Sequence, residues 1–118
     1  MAESAEVREA MRQEDHGAVV SRFGMERSDP LCDRALDMFV SIYGAEAGNL
    51  ALKLLARGGV YLAGGIAQKV LPRLEEAGFR YGFEQKGRYT HFLESVPTYV
   101  ITHPQPGLMG AAVAASEA

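Results

Sequence analysis

Two adjacent glycines, Gly64 and Gly65, follow the apolar run Val60-Tyr61-Leu62-Ala63 and precede Ile66-Ala67-Gln68-Lys69. A glycine pair where a strand turns into a helix removes the Cβ atoms that keep a flat or phosphorylated ligand away from backbone. A helix opening there aims free N–H groups and a positive dipole end at the same place. That is the chemistry of one wall of a nucleotide site. Spacing alone leaves a second reading open, because a tight turn with no ligand needs the same glycines. A dinucleotide fingerprint requires Gly-x-Gly-x-x-Gly, and no third glycine follows; the phosphate loop Gly-x-x-x-x-Gly-Lys-Ser/Thr does not occur in the sequence.

Other residues of chemical interest have simpler readings. Asp29, Asp33 and Asp37 recur every four positions and share a helix face. A metal or acid–base role competes there with a solvated face or a complement to the helix dipole, and the latter is the simpler. Glu75 and Glu76 read as surface charges, and Glu14-Asp15-His16 has ligand-type side chains without a partner cluster. His103 lies at a strand end, where open α/β sheets face their ligand crevice, yet a turn histidine bonded to backbone is simpler. Cys32 stands in the first turn of a helix, a place that can lower a thiol pKa modestly; no activating neighbour accompanies it, so it is read as structural. Arg80 with Lys86-Gly87-Arg88 suggests a phosphate patch, while the spread of these residues and nearby Glu84 favour a surface loop.

The elements that must hold these residues follow from periodicity and punctuation. Residues 4–14 predict a helix. Residues 15–28 read as a polar, irregular linker, although Ala18-Val19-Val20 suits a helical extension. Asp29 is a good N-cap and Pro30 suits the first helical position, so a long helix is predicted from there to about Ala56. Gly44 and Gly48 inside it each cost about 1 kcal/mol against alanine, which predicts close contact with a neighbouring backbone. Val60–Leu62 predicts a strand. Ile66–Ala77 predicts a helix with a kink or restart at Pro72, closed by Gly78. A short helical turn and a loop are expected over 79–87, and a short helix over Tyr89–Val96. Pro97–Thr102 predicts a second strand, and Leu108–Ala115 a small-residue helix expected to pack tightly. The aromatic stripe Phe79, Tyr81, Phe83, Tyr89 and Phe92 is expected to pack an outer helix on the sheet or to serve a subunit interface.

The order of elements is α/β logic with a parallel sheet. Two strands are too few for such a sheet, so the chain reads as the end of a larger domain. Its 118 residues fit one domain at most. The net charge of -3 and the lack of a Lys/Arg cluster argue against nucleic acid. No apolar stretch is long enough for a membrane span, the N-terminus does not resemble a signal peptide, and the lone cysteine suits a reducing cytoplasm.

Several segments together resemble the C-terminal third or so of bacterial glucokinases. They are Gly48-Asn49-Leu50-Ala51-Leu52, Arg57-Gly58-Gly59-Val60-Tyr61-Leu62-Ala63-Gly64-Gly65-Ile66, Gly78-Phe79-Arg80, Phe83-Glu84 and Lys86-Gly87-Arg88, followed by Pro97-Thr98-Tyr99-Val100-Ile101 and Pro106-Gly107-Leu108-Met109-Gly110-Ala111-Ala112. Each is short, but their order and separations match. The resemblance covers about residues 29–115, which implies an N-terminal helix and linker over 1–28 and the C-terminal part of an ATP-binding domain over 29–118.

The resemblance implies an α/β, actin-like ATPase (ribonuclease H-like) sugar-kinase domain, here as an incomplete parallel sheet flanked by helices. It implies glycolytic phosphoryl transfer from ATP, as its magnesium complex, to the 6-hydroxyl of glucose, with an aspartate as base. It also implies that Gly64 and Gly65 lie against the adenine nucleotide, with Ile66 beside them. The family's Asp-x-Gly-Gly-Thr phosphate loop, catalytic aspartate segment and Glu-x-x-His sugar segment have no counterpart in these residues. Neither a catalytic nor a metal-binding residue is therefore assigned, and ATP and magnesium are expected to be held mostly by other regions. A proline common in relatives is Gln68 here. The chain is expected to be inactive alone and cytoplasmic, and to need either a homo-oligomer or an N-terminal portion for completion. The alternative is a non-catalytic, self-associating α/β module.

Overall fold

The computed structural model describes residues 3–117. Its first three helices begin on side-chain caps. Ser4 accepts the N–H of Val7 at 3.2 Å and opens α1 (Ala5–Gln13). Asp15 accepts the N–H of Ala18 at 3.1 Å and opens α2 (His16–Met25). Asp29 accepts the N–H of Cys32 at 2.9 Å, and Pro30 leads α3 (Pro30–Leu54) as predicted. Each cap satisfies an N–H that has no partner inside its helix. The linker expected over 15–28 is thus corrected to a helix. Val19 and Phe23 stand one turn apart in α2 and bury against Val7 and Cys32, which outweighs the polar composition. At the other end of α3, Leu55 takes a left-handed φ of 49° and Ala56 donates back to the Ala51 carbonyl at 3.0 Å.

After α3 come β1 (Val60–Leu62), α4 (Gly65–Lys69), α5 (Leu71–Leu74) and α6 (Ala77–Glu84). A single 3-10 turn at Gly87–Tyr89 leads into α7 (Thr90–Glu94), β2 (Thr98–Val100) and α8 (Pro106–Glu117). β1 and β2 pair in parallel, with Val60 opposite Thr98 and Leu62 opposite Val100. The predicted 66–77 helix is two short helices, restarted at Pro72 because proline cannot donate to a continuing ladder. Gly78 does not close a helix; it lies inside α6, where Phe79 and Phe83 are buried one turn apart.

α6 packs on α3 rather than on the sheet, which corrects the expected seat of the aromatic stripe. A Cβ on Gly44 or Gly48 would fall within 3.0 Å of the carbonyl oxygens of Phe79 or Phe83, and one on Gly82 would meet that of Ser41. The predicted close backbone contact is therefore real, and α6 supplies it. The approach lets Phe83 become fully buried and sets Tyr43 edge-on to Phe79 at 5.9 Å. Burying a phenylalanine contributes about 1.5–3 kcal/mol.

The opposite side of the molecule is open. Tyr61 and Tyr99 stack at 5.0 Å on an exposed sheet face. α8 buries none of its described residues, contrary to the tight packing expected of it; its small side chains have no facing element here. The radius of gyration is 17.0 Å, with extents of 51 × 42 × 18 Å, against about 13–14 Å for a compact chain of this length. The shape is a slab with one finished side. No helix among the described residues is long and apolar enough to cross a membrane.

Candidate functional site

β1 carries the chain to the rim of the sheet and ends at Leu62. Ala63, Gly64, Gly65 and Ile66 follow, all exposed. Gly64 has φ 104° and ψ 168°, a backbone region open essentially to glycine alone. A Cβ on Gly64 or Gly65 would meet nothing within 4 Å, so this corner is accessible main chain. α4 has only five residues, so its dipole is short and the corner's main asset is close backbone approach.

β2 ends at the same rim. Ile101 donates to the Leu62 carbonyl at 2.8 Å, closing the last ladder bond. The loop beyond is tied to α4 by Gln68, whose Nε2 donates to the Ile101 carbonyl at 3.2 Å and the His103 carbonyl at 2.9 Å. His103 Nδ1 accepts the N–H of Gln105 at 3.0 Å. The structure thus gives His103 the turn-capping role and brings its loop beside the glycine corner. On the other side of α4, an apolar cavity of about 440 Å³ opens among Val20, Leu36, Phe39, Ile66, Lys69 and Val70. Ile66 belongs to both features, as the residue after the glycines and as part of the cavity lining.

The remaining candidates are structural. Arg73 is buried, and its Nη1 donates to the Gly24 carbonyl at 2.9 Å and to Asp33 at 2.8 Å; Nη2 reaches the Asp33 carbonyl at 3.3 Å and the Asp37 carboxylate. Burial opposes its charge, but Asp37 and Asp33 outweigh that and hold the guanidinium above its ordinary pKa. Arg27 Nη2 donates to both carboxylate oxygens of Glu76 at 2.7 and 2.9 Å, and its Nη1 to Asp33 at 3.2 Å. The aspartate face is therefore an arginine seat clamping α2, α3 and α5 together. Asp29 stands apart from it as a buried N-cap, and the Cys32 N–H lowers its carboxyl pKa.

Cys32 reverses the sequence expectation for its thiol. Burial first, then the hydrogen bond and charge of Asp29, raise its pKa to about 11, so it is protonated and inert. The basic residues form no patch: Arg80 donates to Glu84 and Val96 at 2.7 Å and to Leu93 at 3.0 Å, and Lys86 to the Ala45 carbonyl at 3.0 Å. Asp15 is spent on its cap, and Glu14 pairs with Arg22 at 2.8 Å. Among the described residues, no group of three His, Cys, Asp or Glu side chains is placed to hold a metal ion. Sequence reading missed Arg73 as the partner of the aspartates and Gln68 as a tie between strand ends. A lone arginine in the run Leu71-Pro72-Arg73-Leu74 was the available signal for the first.

A glucokinase family model matches residues 1–118. A glucokinase of Nostoc punctiforme is 51% identical over 102 residues, covering 86% of this chain and 30% of its own length. One of Yersinia pestis is 54% identical over 80 residues, covering 68% of this chain and 25% of its own length. A crystal structure of a glucokinase from an Antarctic psychrotroph superposes with a TM-score of 0.76 at 31% identity, over 90% of this chain and 33% of that one. The chain spans about a third of the length of the curated relatives it matches. It belongs to the glucokinase family, with the fold of the C-terminal part of an actin-like sugar-kinase domain.

Proposed function

We propose that this chain supplies the adenosine-side wall of a glucokinase-type active site. The observation that carries the reading is the glycine corner: in a chain of this family, Gly64 and Gly65 leave main chain exposed at the strand ends. Gly64, Gly65 and Ile66 lie against the adenine nucleotide. The purine enters the neighbouring cavity past Ile66 and Phe39, whose volume of about 440 Å³ accommodates it.

The reaction is transfer of the γ-phosphoryl group of ATP to the 6-hydroxyl of glucose, which needs a base, a phosphate-holding loop and a metal. The 118 residues contain no Asp-x-Gly-Gly-Thr segment, and among the described residues no three His, Cys, Asp or Glu side chains converge on one point. Those parts come from another portion of the enzyme, so the chain alone binds nucleotide weakly and does not turn over glucose. Its working compartment is the cytoplasm, where ATP is supplied.

A coupled assay for glucose 6-phosphate tests this, run with the pure chain and again with an added polypeptide carrying the N-terminal two-thirds of a related glucokinase. Silence from the chain and activity from the mixture are expected. Turnover by the pure chain would overturn the wall-only reading. A second reading, a self-associating module without chemistry, draws on the exposed apolar residues Tyr61, Tyr99, Leu108, Met109 and Val113. Light scattering separates the two, because a folded monomer at micromolar concentration counts against self-association.

A further inference from the structure

β1 and β2 share their last ladder bond at Leu62 and Ile101, and beyond it the two chains leave the sheet separately. One side chain joins them again. The Gln68 amide faces two carbonyl oxygens, of Ile101 and His103, at 3.2 and 2.9 Å; both neighbours are acceptors, so the NH₂ group is turned to them with both hydrogens engaged. The link spans residues 33 and 35 positions apart. It runs from the helix that starts at Gly65 to the loop that follows β2. Within the loop the Gln105 N–H donates to His103 Nδ1, and its far end is tied to α8 by the Met109 N–H on the Gln105 carbonyl at 3.0 Å. Gln68 thus gives α4 a donor that reaches across to the neighbouring loop.

We infer that Gln68 is a positioning residue: it holds the Ile101–Gln105 loop beside the Gly64–Gly65 turn and so fixes the second edge of the nucleotide wall. This rests on the nucleotide reading of the glycine corner. Gln68 touches no reacting atom; it acts by keeping exposed main chain of two strand ends at a set separation, so that a nucleotide meets a preformed edge rather than a loop it must order on binding.

The test uses the full chain, a fluorescent N-methylanthraniloyl ADP probe, and hydrogen exchange at the Gln105 amide with the Val60 amide as control. Val60 donates to Pro97 at the far end of the sheet, away from the tie. Gln68→Glu keeps the size and removes the donor; Gln68→Lys keeps a donor of similar reach; Gln68→Ala stands in if the glutamate variant does not fold. Gln68→Glu is expected to speed Gln105 exchange and to raise the probe Kd, each about tenfold, equivalent to about 1.4 kcal/mol. Val60 exchange should stay unchanged, and Gln68→Lys should recover most of both effects. Unchanged Gln105 exchange overturns the proposal, as does faster exchange with an unaltered Kd. If the unsubstituted chain fails to bind the probe at millimolar concentration, the nucleotide wall itself falls and takes this inference with it, before any variant is compared.

Discussion

At the α3–α6 contact, a methyl group on Gly44, Gly48 or Gly82 would come within 3.0 Å of a carbonyl oxygen on the facing helix; at the β1–α4 turn, one on Gly64 or Gly65 would meet nothing within 4 Å. In the first region glycine is present because another backbone already occupies the space. In the second, the space is empty and the backbone is left bare. The packed region accounts for a helix that tolerates two interior glycines, since Phe79 and Phe83 gain burial that offsets their cost. The open region has no such packing to explain its second glycine. On the proposed reading, an adenine nucleotide supplies that contact.

The strongest way to break this contrast is alanine at Gly44 and Gly82 together. Alanine raises helix propensity by about 1 kcal/mol per site, yet the clash with backbone forces the helices apart, and a net loss of about 3 kcal/mol or more is expected by urea unfolding. A stable double variant would show that the helices are not held that close. Next in size is Arg73→Met. It removes the guanidinium that donates to the Gly24 carbonyl and joins Asp33 to Asp37. Both carboxylates keep partial access to water, so the loss is about 2 kcal/mol rather than the larger value of a fully sealed pair.

The open corner should answer differently. Gly64→Ala meets no neighbour but must hold φ 104°, which costs about 1–3 kcal/mol. Gly65→Ala is expected within about 0.5 kcal/mol of the unsubstituted chain, while weakening nucleotide binding several-fold. A Gly65→Ala variant that binds nucleotide unchanged would return the pair to the role of a simple turn. A further effect shows only at alkaline pH. The folded Cys32 thiol titrates at about 11 against 9.0 when unperturbed. Its contribution is therefore complete below pH 9 and fades as pH rises toward 11, because the unfolded chain loses the proton first. Cys32→Ala should flatten that stretch of the stability–pH curve.

Features carried by local chemistry were legible in the sequence. Asp29-Pro30 fixed the start of α3, Pro72 marked a restart, and both strands stood out as apolar runs closed by glycine or proline. The spacing of Gly44 and Gly48 implied a close neighbour without naming it. What stayed hidden depends on distant partners. α2 reads as a linker until Val7 and Cys32 are seen to receive Val19 and Phe23. Gly78 reads as a helix stop, and nothing local marks Gly82, which is what lets α6 approach Ser41. The aspartate face could be placed on a helix, but its arginine lies 36 and 40 positions away. Gly64, Gly65 and Ile66 were legible as a candidate wall; the cavity beside them was not, because its lining comes from α2 and α3 as well as α4.

Backbone ¹⁵N NMR of the full chain titrated with ATP and magnesium probes the contrast most directly. Gly64, Gly65 and Ile66 should shift progressively and saturably, with Ile101 to Gln105 following, while Gly44, Gly48 and Gly82 stay in place. Shifts confined to the packed helices, or none at millimolar nucleotide, would contradict a nucleotide wall at this corner.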